Sequence, residues 1–153
     1  ISDWGNWFME YPGKTEMTEI YYLNSEIDYV YHEIAVKLGL SDSELAVLSI
    51  LYDFEGQCLL SDILRLSGIS KQTVNSALRR LEKQGMIVLK AFAGKRKRVC
   101  LTPAGKVLAD STARRVFQLE EEIWAAWTKE ERELYLELTR RYLSALKKKV
   151  KTL

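Results

Sequence analysis

The sequence predicts a mainly α-helical fold with one small β-hairpin, and three observations carry that expectation. Apolar residues recur at steps of three and four through most of the 153-residue chain, the period of one helix face. Only between Gly85 and Pro103 does the pattern change, to short β-type runs on either side of Ala93-Gly94. The charge is also segregated: Leu60 to Thr102 holds ten Lys or Arg against two acids, a local +8 in a chain of net +2, so the other residues sum to −6.

Residues 1–17 hold Trp4, Trp7, Phe8, Met9 and Tyr11 ahead of Pro12-Gly13 with no sustained period, and read as an aromatic arm. A first helix lies within 18–40, its apolar positions 20, 23, 27, 30 and 34 forming one stripe, and Gly39 ends it. Ser41-Asp-Ser-Glu44 fits a capping box for a second helix with Leu45, Leu48, Leu51 and Phe54 on its inner side, closed by Gly56. A third helix spans about Leu60 to Leu66, Ser67-Gly68-Ile69 turns the chain, and Ser70 caps a fourth helix reaching Lys83. Met86–Leu89 and Val99–Leu101 are the two strands, with Ala93-Gly94 at the tip because glycine tolerates the positive φ of a tight hairpin. Thr102-Pro103 starts a fifth helix that the periodicity carries to about Ala126, roughly 36 Å at 1.5 Å per residue. Thr128-Lys-Glu-Glu131 is a second capping box, opening a sixth helix with Leu134, Tyr135, Leu138, Tyr142, Leu146 and Val150. Long helices with aromatic stripes in so small a chain need a partner to cover them.

The basic segment reads as a winged helix-turn-helix. Gly68 sits where the turn goes left-handed, Val74 six places later locks the second helix on the first, and Ile69 and Leu78 fill the angle. Ser70, Lys71, Gln72, Thr73, Asn75, Ser76, Arg79 and Arg80 form the polar face of the fourth helix, with no acid before Glu82. Amides and hydroxyls near the helix start suit base edges, since Gln or Asn pairs bidentately with adenine, while Arg79 and Arg80 suit the phosphate backbone. A merely solvated face would not explain the missing acids. In the wing, Lys95, Arg96, Lys97 and Arg98 repel one another beside the tip, with Lys90 on the opposing strand, a cost that phosphates or a narrow minor groove would offset. Lys147, Lys148, Lys149 and Lys151 have a simpler reading as complements to a helix macrodipole.

Other classes are disfavoured. No run approaches the ~18 apolar residues of a membrane span, and the aromatic, acidic start is unlike a secretory signal, so the chain reads as cytoplasmic with no membrane partner. His32 is the sole histidine and Cys58 and Cys100 are isolated, so no metal site and no cofactor are expected, and the cysteines read as small buried apolar residues. Without a glycine-rich phosphate loop or compact acid cluster, no catalytic constellation is assembled.

Three segments, Leu66-Ser-Gly-Ile-Ser-Lys-Gln-Thr-Val74, Leu81-Glu-Lys-Gln-Gly-Met-Ile87 and Val99-Cys-Leu-Thr-Pro-Ala-Gly105, resemble the MarR (multiple antibiotic resistance regulator) family, and the resemblance covers about residues 18–150. It implies a homodimer: 18–40 as a dimerisation helix, 41–102 as the winged helix-turn-helix DNA-binding domain and 103–153 as long C-terminal helices returning to the dimer interface. Ile20, Leu23, Trp124, Trp127, Tyr135, Leu138, Tyr142 and Leu146 are the interface candidates. The fourth helices would enter successive major grooves and the wings the flanking minor grooves. Two features depart from the family pattern. An Asp-x-Arg pair common in the wing is replaced by Ala93 and Lys95, leaving Arg96 or Arg98 for the groove contact; and no cysteine precedes Cys58, against a peroxide-sensing role. Tyr22, Tyr29, Tyr31 and His32 are candidates for a cleft holding a small aromatic ligand, with interface core as their alternative. The expectation is a dimeric, sequence-specific transcriptional regulator, a repressor released from a pseudo-palindromic double-stranded DNA operator by a small ligand. The alternative is an architectural or protein-interaction module with little sequence preference.

Overall fold

Side-chain caps set most of the helix starts in the computed structural model, which describes residues 15–153. Thr15 caps α1 (Glu16–Lys37) by accepting from the Thr18 amide. Of the arm expected over 1–17, positions 1–14 lie outside the described residues, and Glu16 and Met17 already belong to α1. Ser41 and Glu44 form the expected capping box at α2 (Asp42–Asp53): the Glu44 amide donates to Ser41 Oγ at 3.2 Å and the Ser41 amide to Glu44 Oε2 at 2.9 Å.

After α2 the chain forms β1 (Gln57–Leu59), then α3 (Leu60–Ser67), α4 (Lys71–Lys83), β2 (Ile87–Ala91), β3 (Lys97–Leu101) and α5 (Pro103–Ser111). The sheet has three antiparallel strands in the order β1-β3-β2, so the hairpin read from the sequence gains a strand on its β3 side. Three residues offer too short a period to stand out in a sequence; pairing with β3, not local propensity, makes β1 a strand.

The apolar faces of α2, α3, α4 and the sheet meet in one core. Val47, Leu48, Leu51, Ile63, Val74, Leu81, Ile87 and Val99 are its largest fully buried side chains. Strand alternation divides the sheet: Cys58, Ile87 and Val99 face this core, while Gln57, Val88, Lys90, Arg98 and Cys100 face outward. The two free cysteines thus lie on opposite faces. Burial pushes the Cys58 thiol pKa up, with the Asp62 carboxylate adding to it, as befits an inert core residue.

Glycine at position 105 has a steric cause. Thr102 caps α5 by accepting from the Gly105 amide, donates its hydroxyl to Gly85 O at 2.6 Å, and its own amide donates to Met86 O at 3.0 Å. These bonds clamp the first turn of α5 onto the start of β2, so tightly that a Cβ at position 105 would stand 1.8 Å from Met86 O.

The fifth helix expected to run unbroken to about Ala126 is interrupted. Thr112 takes φ −126° and ψ −82°, its hydroxyl donates to Leu108 O at 2.6 Å, and α6 (Ala113–Ala125) begins beyond it. A β-branched side chain bonding back to the preceding turn competes with the backbone ladder, and apolar periodicity does not register that competition.

Contacts divide the chain into a unit ending at Ala113 and a second from Arg114 to Leu153. In the second, a short turn joins α6 to α7 (Lys129–Lys149), again through a capping box, Thr128 with Glu131. Trp124, Trp127 and Tyr135 pack together at this corner, with ring centroids 5.2 to 5.7 Å apart. Helix α7 has no buried residue: Leu138, Tyr142 and Leu146 of its apolar stripe are about half exposed. In the first unit, Ala35 is the only buried residue of α1, whose Ile20 and Leu23 are likewise half exposed. Among the described residues no helix is long and apolar enough to cross a membrane.

Candidate nucleic-acid interface

The helix-turn-helix is built by two local devices. Gly68 ends α3 at φ +64°, where a side chain would be strained, and the Ile69 amide donates to Ser67 Oγ at 3.3 Å. Ser70 then caps α4 by accepting from the Thr73 amide at 3.2 Å. Val74, Ala77, Leu78 and Leu81 are buried, and the 100° step per residue places the polar positions opposite them. Gln72 and Arg79 lie on the crest, Asn75 and Ser76 beside it. Lys71 lies on the flank toward the wing, Arg80 and Thr73 on the other. The Ser76 hydroxyl donates back to Gln72 O at 3.0 Å, leaving its lone pairs for a donor.

The wing tip closes as a turn in which the Arg96 amide donates to Ala93 O at 3.0 Å and the Phe92 amide to Arg96 O at 3.0 Å. Gly94 at the first central position has φ +57°, the demand that places glycine there. Lys97 and Arg98 belong to β3, and Lys90 pairs directly across from Arg98.

Between α3, α4 and the wing runs an open groove of about 630 Å³. Leu60, Leu64, Leu78 and Leu89 contribute apolar lining; Lys71, Arg79, Lys95, Arg96 and Lys97 surround it with charge, Asn75 adds an amide, and Glu82 is the single acid. The fold thus brings the wing-facing flank of α4 and the wing tip, separated in sequence, around one cationic trough with a +4 balance of formal charge, a field suited to phosphate; of the crest, Arg79 lines it and Gln72 does not. Lys90 and Arg98 do not line it: alternation puts them on the outer face of the sheet.

Arg80 is engaged elsewhere. Its Nε donates to Glu44 Oε1 at 3.2 Å, and its Nη2 to Ser41 Oγ at 3.2 Å and Ser43 Oγ at 3.4 Å. Glu44 is buried, which alone would raise its pKa, but the amide and hydroxyl of Ser41 and the Arg80 guanidinium outweigh that and hold the carboxyl below its ordinary value. One carboxylate thus closes the cap of α2 and anchors α4 to it. Glu44 was legible in the sequence as a capping residue; its second partner, 36 positions away, carried no signal.

Of the four cleft candidates, Tyr22, Tyr29 and His32 share a side of α1, and helical geometry places Tyr31 on the other. The Tyr29 and His32 rings stand 6.4 Å apart, and His32 Nδ1 bonds Asp42 Oδ1 at 2.8 Å, linking α1 to the first turn of α2. All four are exposed. No group of three or more His, Cys, Asp or Glu among the described residues is arranged to hold a metal ion.

The profile of the MarR family matches residues 38–98, from the end of α1 to the middle of β3. No curated protein sequence matches the chain. Solved structures do: a MarR family regulator from Neisseria meningitidis (TM-score 0.75, 20% identity, 90% of this chain and 96% of that one), the MepR–DNA complex of S. aureus (0.68, 20%, 87% and 98%) and the PcaV transcriptional regulator of Streptomyces coelicolor in complex with its natural ligand (0.65, 17%, 89% and 99%). At these identities the likeness is one of fold, and it spans α1 to α7 as well as the winged helix.

Proposed function

Residues 38–98 match the profile of the MarR family in a chain that shares the fold of a MarR family regulator, and from that premise we propose that the protein is a dimeric, sequence-specific DNA-binding transcriptional regulator. The observation that carries the reading is the groove: the wing-facing flank of α4, with Arg79 of its crest, and the wing tip converge on one trough with five cations and one acid. In this reading Gln72 and Asn75 read base edges, Ser70, Lys71, Thr73, Ser76 and Arg79 fix register on phosphates, and Lys95, Arg96 and Lys97 extend the contact along the flanking backbone. Arg80, with its fork committed to Glu44 and two serines, holds α4 in place. The DNA-bound relative supports the reading by analogy of fold.

What is left uncovered supports dimerisation. Ile20, Leu23, Leu138, Tyr142 and Leu146 are half exposed, and completing the burial of ten such side chains, five from each subunit, would contribute on the order of 10 kcal/mol before association costs. Two α4 helices then dock on half-sites about 34 to 36 Å apart. A small aromatic ligand beside Tyr22, Tyr29 and His32, at the junction of α1 and α2, would act by favouring a different half-site separation and relieve repression. The ligand-bound relative supports that element by analogy of fold.

Selection of bound duplexes from a random pool tests the proposal. A pseudo-palindrome with half-sites one turn apart is the expected product, and recovery of no motif would replace the reading with that of an architectural module. If each protomer neutralises about four phosphates, log K should fall against log salt with a slope near −7.

A further inference from the structure

The wing carries more cations than its groove face uses, and the surplus has a defined place. Arg98 lies on the outer face of the sheet, away from the trough that Lys95, Arg96 and Lys97 line. Its guanidinium carbon sits 4.3 Å from the centroid of the Phe92 ring, and its Nη1 donates to Gln57 Oε1 at 3.4 Å. Lys90 stands directly across from it, a like-charge pair that on a bare strand would splay the hairpin. The aromatic face takes up the Arg98 charge, and the bond to Gln57 ties β3 to β1 across the sheet. Arg96 also leans on this ring, at 5.5 Å, so one aromatic side chain at the root of the turn organises two of the four consecutive cations.

We propose that Phe92 and Gln57 are positioning residues that hold Arg98 as a brace across the outer face of the wing, leaving Lys95, Arg96 and Lys97 as the wing cations that meet DNA. The division of labour among the cations rests on the DNA-binding reading; the brace itself does not.

The test has a DNA-free arm and a DNA-bound arm, both on the full chain. In the free protein, NMR of the Arg98 side chain should show Cδ protons and the Nε–H shifted upfield by the Phe92 ring. Phe92→Leu should abolish that shift and Phe92→Tyr should keep it; an unshifted Arg98 in the wild type overturns the brace whether or not the protein binds DNA. On the selected operator, Arg96→Gln should flatten the salt slope by about 1.8 for the two wings of a dimer, and Arg98→Gln by less than about 0.5. Phe92→Leu should weaken binding about tenfold over two wings and Phe92→Tyr restore it. Equal flattening by Arg96→Gln and Arg98→Gln would make Arg98 a phosphate contact and refute the assignment. A wild-type protein that selects no operator, yet shows the shifted Arg98, would sink the regulator reading and leave the brace standing.

Discussion

Gly105→Ala sets two opposed effects against each other in the first turn of α5. Alanine is the better helix former, by at most about 1 kcal/mol, so propensity alone predicts a more stable protein. The added Cβ, however, would lie 1.8 Å from Met86 O, 2.9 Å from Met86 C and 3.2 Å from Leu101 Cδ2. A carbon–oxygen contact relaxes near 3.2 Å, so helix and strand must separate by more than about 1 Å, and both obstructing Met86 atoms are backbone. Overpacking of this kind costs about 1–3 kcal/mol. The shift also stretches the bond from the Thr102 amide to Met86 O, which adds about 1 kcal/mol. The steric terms win: we expect a net loss of about 1–3 kcal/mol and, at about 2–4 °C per kcal/mol for a chain of this size, a fall in Tm of roughly 2 to 12 °C. Urea unfolding followed by circular dichroism, at matched protein concentration because a dimer's stability depends on it, measures the difference. A variant as stable as the wild type, or more so, would show that propensity prevails and that the contact yields at no cost.

Three further outcomes are expected. Arg80→Ala and Glu44→Gln should each destabilise the fold, and a double-mutant cycle should return a coupling of about 1 kcal/mol, kept small because Arg80 is half exposed. The Glu44 carboxyl is held below its ordinary value, so its contribution is fully present above the unfolded value of about 4.3 and is lost as pH falls through the lower folded one. Wild type and Glu44→Gln should therefore converge in stability as pH falls below the lowered folded value, as acid titration of unfolding would reveal. Gln72→Ala should alter the ranking of operator variants by about 1–3 kcal/mol at the base it reads; unchanged ratios across a variant panel would remove it from base readout. Replacing both Leu138 and Tyr142 by Glu should leave helix content intact and yield monomers in light scattering, whereas an unchanged dimer mass would place the interface elsewhere.

The sequence alone was enough for whatever closes within a few residues. The caps at Ser41, Ser70, Thr102 and Thr128 join groups three positions apart, so residue type and spacing suffice to find them, and with them the order of helices and the position of the wing. The tip glycine and the buried face of α4 were legible for the same reason: a local φ and a period of 3.6 leave their mark in the chain itself. The segregation of charge also marked the segment that lines the groove. Tertiary structure decided what depends on distant approach. β1 exists because β3 pairs with it, Arg80 turns to Glu44 because α4 packs on α2, and Gly105 is glycine because β2 lies against α5. The break at Thr112 also escaped notice, since helical periodicity reports which face is apolar and not whether the helix continues. In the sequence Arg96 and Arg98 were alternatives for the groove contact; sheet alternation and the bond to Gln57 separate Arg98 from the three cations that line the groove. Local bonding and periodicity are written along the chain, but the partner of a side chain is chosen by the fold that brings it near.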